Sequence, residues 1–204
     1  MIANSWDQLL RNALTERLSR IGFNEESPLA FTRSGEHCID ILNFEGQING
    51  AGYKFTCYIG IRFPEIEALL KPNEQDLTYP TVSTPIHFLR DDREYYEWVV
   101  IDAGNLDSVV EHAVNEVRHL AEKCFIHFSS LQNVEEELAS PIATQVFGFG
   151  PFQTTSVRAA IALHQGRPAD ARKLIAEALD RTRTASMGQR RRLQQLQTQL
   201  FPDK

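Results

Sequence analysis

Apolar residues at Trp6, Leu9, Leu10, Ala13, Leu14, Leu18 and Ile21 recur at spacings of three and four, which places them on one side of an α-helix. Asn4 or Ser5 can accept from the first free amides, and Gly22 can adopt the left-handed conformation that ends a helix. The period then falls to two. Phe31, within Leu29-Ala30-Phe31-Thr32-Arg33, leads through Ser34-Gly35-Glu36 into a second extended run, Cys38 to Phe44, and Asn49-Gly50-Ala51-Gly52 marks the next reversal. The clearest alternation follows. Tyr53, Phe55, Cys57, Ile59, Ile61 and Phe63 share one face, and Lys54, Thr56, Tyr58, Gly60 and Arg62 share the other, which predicts a long central strand.

Pro64 has no amide hydrogen to donate, so it stops the ladder, and Glu65 to Leu70 reads as a short helical turn. Residues 71–85, with Pro72, Pro80 and Pro85, read as a long excursion. Ile86 to Leu89 and Tyr95 to Ile101 have the composition of two further strands. Leu106, Val109, Val110, Ala113, Val114, Val117, Leu120, Ala121 and Cys124 form one helical stripe, and Ser130 to Ala139 predicts another helix. After Pro141 and Gly148-Phe149-Gly150-Pro151 the pattern is wholly helical. Val157 to His164 and Ala169 to Arg181 join at Gln165-Gly166-Arg167-Pro168, and Met187 to Leu200 forms a last, basic helix. The expected architecture is α+β. An antiparallel sheet of four or five strands in residues 1–150 is covered by the N-terminal helix and the helices of 106–139. Residues 151–204 form a helical extension whose first two helices look like a single tetratricopeptide-type hairpin, a unit that needs a surface to dock on.

The stretch Leu18-Ser19-Arg20-Ile21-Gly22-Phe23, then Ala30-Phe31-Thr32-Arg33, the strand and turn of Ile39 to Gln47, and Tyr53 to Ile61 resemble the bacterial domain-of-unknown-function family 4304 over about residues 8–138. That resemblance implies a helix, an antiparallel sheet and covering helices in a mostly bacterial cytosolic protein. Some such small domains are suspected to act beside toxin systems as immunity-type proteins. The family assigns no functional residues, so none is carried over, and residues beyond 151 lie outside the resemblance.

Composition narrows the classes. With 204 residues, 42 % hydrophobic and 24 % charged, the chain has the proportions of an ordinary globular protein. No uncharged apolar run approaches membrane-spanning length and Met1 to Asp7 lacks the pattern of a leader, so a cytosolic protein without a membrane is expected. Cys38, Cys57 and Cys124 are too few and too uneven for a disulfide framework. The net charge of −6 argues against a nucleic-acid partner, but it is unevenly spread. Residues 1–156 hold 11 basic and 23 acidic side chains, and residues 157–204 hold 10 and 4.

Several constellations bear on chemistry. His112, Glu116 and His119 stand at i, i+4 and i+7, so they share a helix side on which a divalent metal is one reading and a solvated surface the other. Cys38, Cys57 and His37 suggest a Cys/His site, which core packing of Cys57 opposes. Cys124 and His127 are a nucleophile and a base three residues apart without an oxyanion device. Asp91, Asp92, Glu94 and Glu97 read as a charged turn, and Gly148–Pro151 as a linker without the Lys-Ser/Thr of a phosphate loop. Two surfaces suit binding. Tyr58 and Arg62 on the outward strand face, with Tyr95, Tyr96 and Trp98, have the composition of an interface hot spot, and Arg190, Arg191 and Arg192 suit an acidic protein or phosphates. The expected function is a non-catalytic cytosolic module for a protein partner, with no cofactor and with the oligomeric state open. The rival is a metal-assisted hydrolase using His112, Glu116 and His119.

Overall fold

The computed structural model describes residues 3–50, 52–70, 80–140, 147, 149–182 and 187–202, with backbone alone for 3–5. Its described residues fall into two compact units, residues 1–62 with 76–129 and residues 63–75 with 130–204.

The first unit is a helix-covered antiparallel sheet. Helix α1 (Ala3–Ser19) precedes strands β1 (Asn24–Ser27), β2 (Ala30–Ser34), β3 (Ile39–Asn49) and β4 (Gly52–Arg62), and β5 (Val82–Pro85), β6 (Trp98–Val100) and helix α3 (Leu106–Phe128) follow. The strand order is β1-β2-β3-β4-β5, with β6 also paired to β4, which makes six strands. Register fixes the faces. Cys57 of β4 lies opposite Phe44 and Ile59 opposite Leu42, so the greasy side of both strands points the same way. On that inner side Phe31, Leu42, Phe55, Cys57, Ile59 and Ile61 are at most 1 % exposed. Leu10, Leu14 and Leu18 of α1 and Val110, Ala113 and Val117 of α3 are buried with them. Each fully buried aliphatic or aromatic side chain contributes about 1.5–3 kcal/mol, so this layer is the main source of the unit's stability.

Charged pairs fasten the helices over the sheet. Arg17 of α1 reaches Asp107 and Glu111 of α3, each at 3.0 Å. Arg33 of β2 forks to Asp40 of β3 at 2.8 Å and to Glu122 of α3 at 2.6 Å. Its guanidinium also lies 4.7 Å from the Phe23 ring centroid and 5.4 Å from that of Phe125. Tyr53 donates from its hydroxyl to the Asp7 carboxylate of α1.

The α+β class and the antiparallel sheet stand as the sequence predicts, with differences at the edges. Val82–Pro85, expected inside an excursion, pairs with Tyr58–Ile61 as β5. Ile86–Leu89 is a 3₁₀ turn rather than a strand: after extended Pro85 the chain closes through Arg90 N–H to the His87 carbonyl. Of the expected strand at Tyr95–Ile101 only Trp98–Val100 pairs, against Tyr53–Phe55, while β5 occupies the same strand at Tyr58–Ile61. The remainder of the excursion, 71–79, lies outside the described residues, as do Pro141 and Gly148.

The second unit is helical. It comprises α2 (Pro64–Leu70), α4 (Leu131–Ala139), α5 (Pro151–His164), α6 (Pro168–Arg181) and α7 (Met187–Leu200). Ser130 caps α4 by accepting from Gln132 N–H at 3.3 Å. Gly166, at φ +73°, makes the turn that separates α5 from the Pro168 start of α6. Ala159, Ala162 and Ala171 allow close helix contact, and Ile175, Leu196 and Leu200 complete this small core. Gln199 of α7 donates to the Leu69 and Leu70 carbonyls at 2.5 and 2.8 Å, satisfying acceptors that the end of α2 leaves open.

Candidate functional site

Antiparallel pairing sends Lys54, Thr56 and Tyr58 of β4 to the side away from the α1 and α3 layer. Gln47, Glu45 and Asn43 of β3 lie directly opposite them. Lys54 is also opposite Val99 of β6, so odd-numbered residues of the 95–99 segment share this outer side. Toward Gly60 and Arg62 the outer side is buried, Arg62 being 7 % exposed. Toward the β3–β4 hairpin it is open. Glu45 and Gln47 are exposed, Tyr58 and Lys54 half-buried, Tyr95 is 68 % exposed and Val99 47 %.

This open half is internally ordered. Lys54 Nζ contacts Glu97 Oε2 at 2.7 Å, and Tyr95 donates from its hydroxyl to Glu97 Oε1 at 2.8 Å. The Tyr95 ring packs edge-on against His87 at 5.5 Å between centroids. Burial pushes the Glu97 carboxyl up, but the bonds from Lys54, Tyr95 and Gln47 outweigh it and hold the group below its ordinary value. The Tyr95 hydroxyl is raised by its bond to Glu97, with burial and the nearby Glu45 adding to the effect. Burial and Glu45 also raise Tyr58. The patch therefore presents two neutral tyrosines beside a closed Lys–Glu pair.

The expected aromatic set is divided by the pleat. Tyr95 and Tyr58 lie on the open side. Trp98 is on the inner side, 2 % exposed, with its ring 5.3 Å from Phe55 and its Nε1 donating to Glu116 of α3 at 3.2 Å. Tyr96 goes with it, edge-on to Trp98 at 5.6 Å and beneath the Arg90 guanidinium at 4.4 Å. Sequence reading missed Lys54, Glu97, Glu45 and Val99 as members of the patch. The signal was the alternation itself: with Trp98 inward, 95, 97 and 99 must face outward.

A second concavity of about 610 Å³ lies between residues 89–92 and the C-terminal half of α3, lined in part by Arg90, Asp92, His119, Lys123, Cys124 and His127. Its groups are largely committed. Glu116 accepts from Arg90 Nη1 and from Trp98, and His112, mostly exposed, comes no closer to it than 3.8 Å. His119 Nε2 meets Lys123 Nζ at 3.3 Å. Among the described residues no three His, Cys, Asp or Glu side chains are grouped to hold a metal, so His112, Glu116 and His119 do not converge. Burial, assisted by Asp40, pushes the Cys124 thiol up to about 12, so it stays protonated beside His127 at neutral pH. Cys57 is fully buried and raised by burial alone, while His37 is exposed beside Glu36.

Arg190, Arg191 and Arg192 are all exposed on α7. No helix of the described residues is long and apolar enough to cross a membrane. Compared with protein-family models, curated proteins and solved structures, the chain matches none.

Proposed function

We propose that the chain is a non-catalytic protein-interaction module whose partner seats on the open half of the outer sheet face, at Tyr58, Tyr95, Val99 and the Lys54–Glu97 pair. The observation that carries this reading is Tyr95. It is 68 % exposed yet already fixed by Glu97 and His87, so little side-chain freedom remains to be lost on binding. Tyrosine, with tryptophan and arginine, is enriched among the residues that carry most of an interface's energy. The protonated thiol of Cys124 and the prior commitment of Glu116 to Arg90 and Trp98 leave the groove without an activated nucleophile, which favours binding over the rival hydrolase. The immunity-type role in a bacterial cytosol is part of this proposal and rests on the resemblance to family 4304 alone.

Affinity capture with the full chain, followed by titration of the purified partner, tests the reading. Tyr95→Ala with Val99→Asp is expected to weaken binding by at least about tenfold, the loss of one hot-spot side chain. Unchanged affinity would defeat the proposal. Both positions are exposed, so the variant is expected to melt within about 2 °C of the parent.

A further inference from the structure

We infer that α7 is a docking helix for an acidic polypeptide segment. This extends the interaction-module reading to a second surface that fails or stands separately from the tyrosine patch. Leu193, Leu196 and Leu200 anchor one side of α7, between 2 % and 6 % exposed, and Gln199 ties it to α2. The anchored side fixes which residues face outward. Arg191, Gln194, Gln195, Thr198 and Gln199, at i, i+3, i+4, i+7 and i+8, line a shallow open groove of about 440 Å³ along the helix.

Charge on this stripe is uncompensated. Arg167 pairs with Glu135 at 2.5 Å and Asp170 at 3.2 Å, and Arg172 lies 4.4 Å over the Phe201 ring. Among the described residues none of Arg190, Arg191 and Arg192 forms an ion pair. Arg181, the last residue of α6, is a further exposed guanidinium of this unit.

The side chains beside the arginines point to a peptide rather than to a nucleic acid. Guanidinium forks bind carboxylates bidentately. Gln194, Gln195 and Thr198 offer both donors and acceptors, which match the alternating N–H and C=O groups of a polypeptide, whereas phosphate oxygens can use only the donors. The stripe holds no aromatic ring on which bases stack.

The probe is a fluorescein-labelled peptide of alternating glutamate and glycine, about twelve residues long, titrated into the full chain at about 50 mM salt, where exposed charges are weakly screened. Saturable binding is expected. Reversal of charge in Arg190→Glu, Arg191→Glu and Arg192→Glu together is expected to weaken it by at least about tenfold, while the corresponding lysine variant keeps the charge and loses a few-fold through the missing forks. Gln195→Ala with Thr198→Ala is expected to lose about two- to fivefold at unchanged net charge, a readout that a purely electrostatic film does not give. Absence of saturable binding overturns the inference. So does equal binding by the charge-reversed chain, or a single-stranded DNA of the same charge binding as tightly as the peptide. Tyr95→Ala is expected to leave peptide binding unchanged, which separates this test from that of the sheet face.

Discussion

Arg33 ties three elements of the sheet unit together. One guanidinium bridges β2, β3 and α3 through Asp40 and Glu122 while packing against Phe23 and Phe125. Arg33→Ala removes both partners at once and strands the Asp40 carboxylate in a site where its side chain is 9 % exposed. Because Arg33 keeps partial solvent access, the expected loss is about 2–3 kcal/mol, short of that for a fully buried pair, and denaturant unfolding measures it. Asp40 has the opposite tendency. Burial raises its carboxyl above the ordinary 3.8, and Arg33 only partly pulls it back. A group raised in the folded state contributes its stability below its unfolded value and loses it as pH rises through the folded one. Asp40→Asn, which imitates the protonated acid, is therefore expected to gain on the parent as pH increases from 3.8 upward. Unfolding midpoints measured from acid to neutral pH check this, and a constant offset contradicts it.

Strand β6 depends on a missing side chain. A Cβ on Gly52 would collide with the Val100 carbonyl oxygen, a backbone atom with no rotamer to escape by. Gly52→Ala is expected to cost about 1–3 kcal/mol and to release β6 from β4, seen as faster amide exchange at Lys54 and Val100 than at Ile59. The same element shows how far sequence carries. The alternation from Tyr53 to Phe63 reveals β4 and its two faces, because a period of two over so many residues has one structural solution. Apolar stripes do likewise for α1, α3 and the three last helices. What local pattern cannot say is which neighbour occupies a strand edge. Both β5 and Trp98–Val100 compete for β4, and their shares are set by pairing between distant residues, so Ile86–Leu89 became a turn and most of Tyr95–Ile101 stayed unpaired. The candidate patch suffered from the same ignorance. Composition groups five aromatic and basic residues, and the pleat places Tyr95 and Trp98 on opposite sides.

Over the whole chain, contact and sequence divide charge differently. The last 48 residues are strongly basic as a string, yet the helical unit also takes Glu65, Glu67 and the Glu135–Glu137 run, and holds 11 basic against 10 acidic side chains in all. The sheet unit holds 10 against 17. The positive character that remains is thus local to α7 rather than a property of a tail, and the sheet unit keeps its acidic surface with a neutral tyrosine patch set into it. In the proposed reading the molecule meets partners by two surfaces of different chemistry. Hydrogen–deuterium exchange of the full chain with and without its captured partner tests that claim most directly. Slowed exchange across residues 54–58 and 94–101 is the predicted result; slowing confined to the groove along residues 116–128, with the sheet face unchanged, would contradict it.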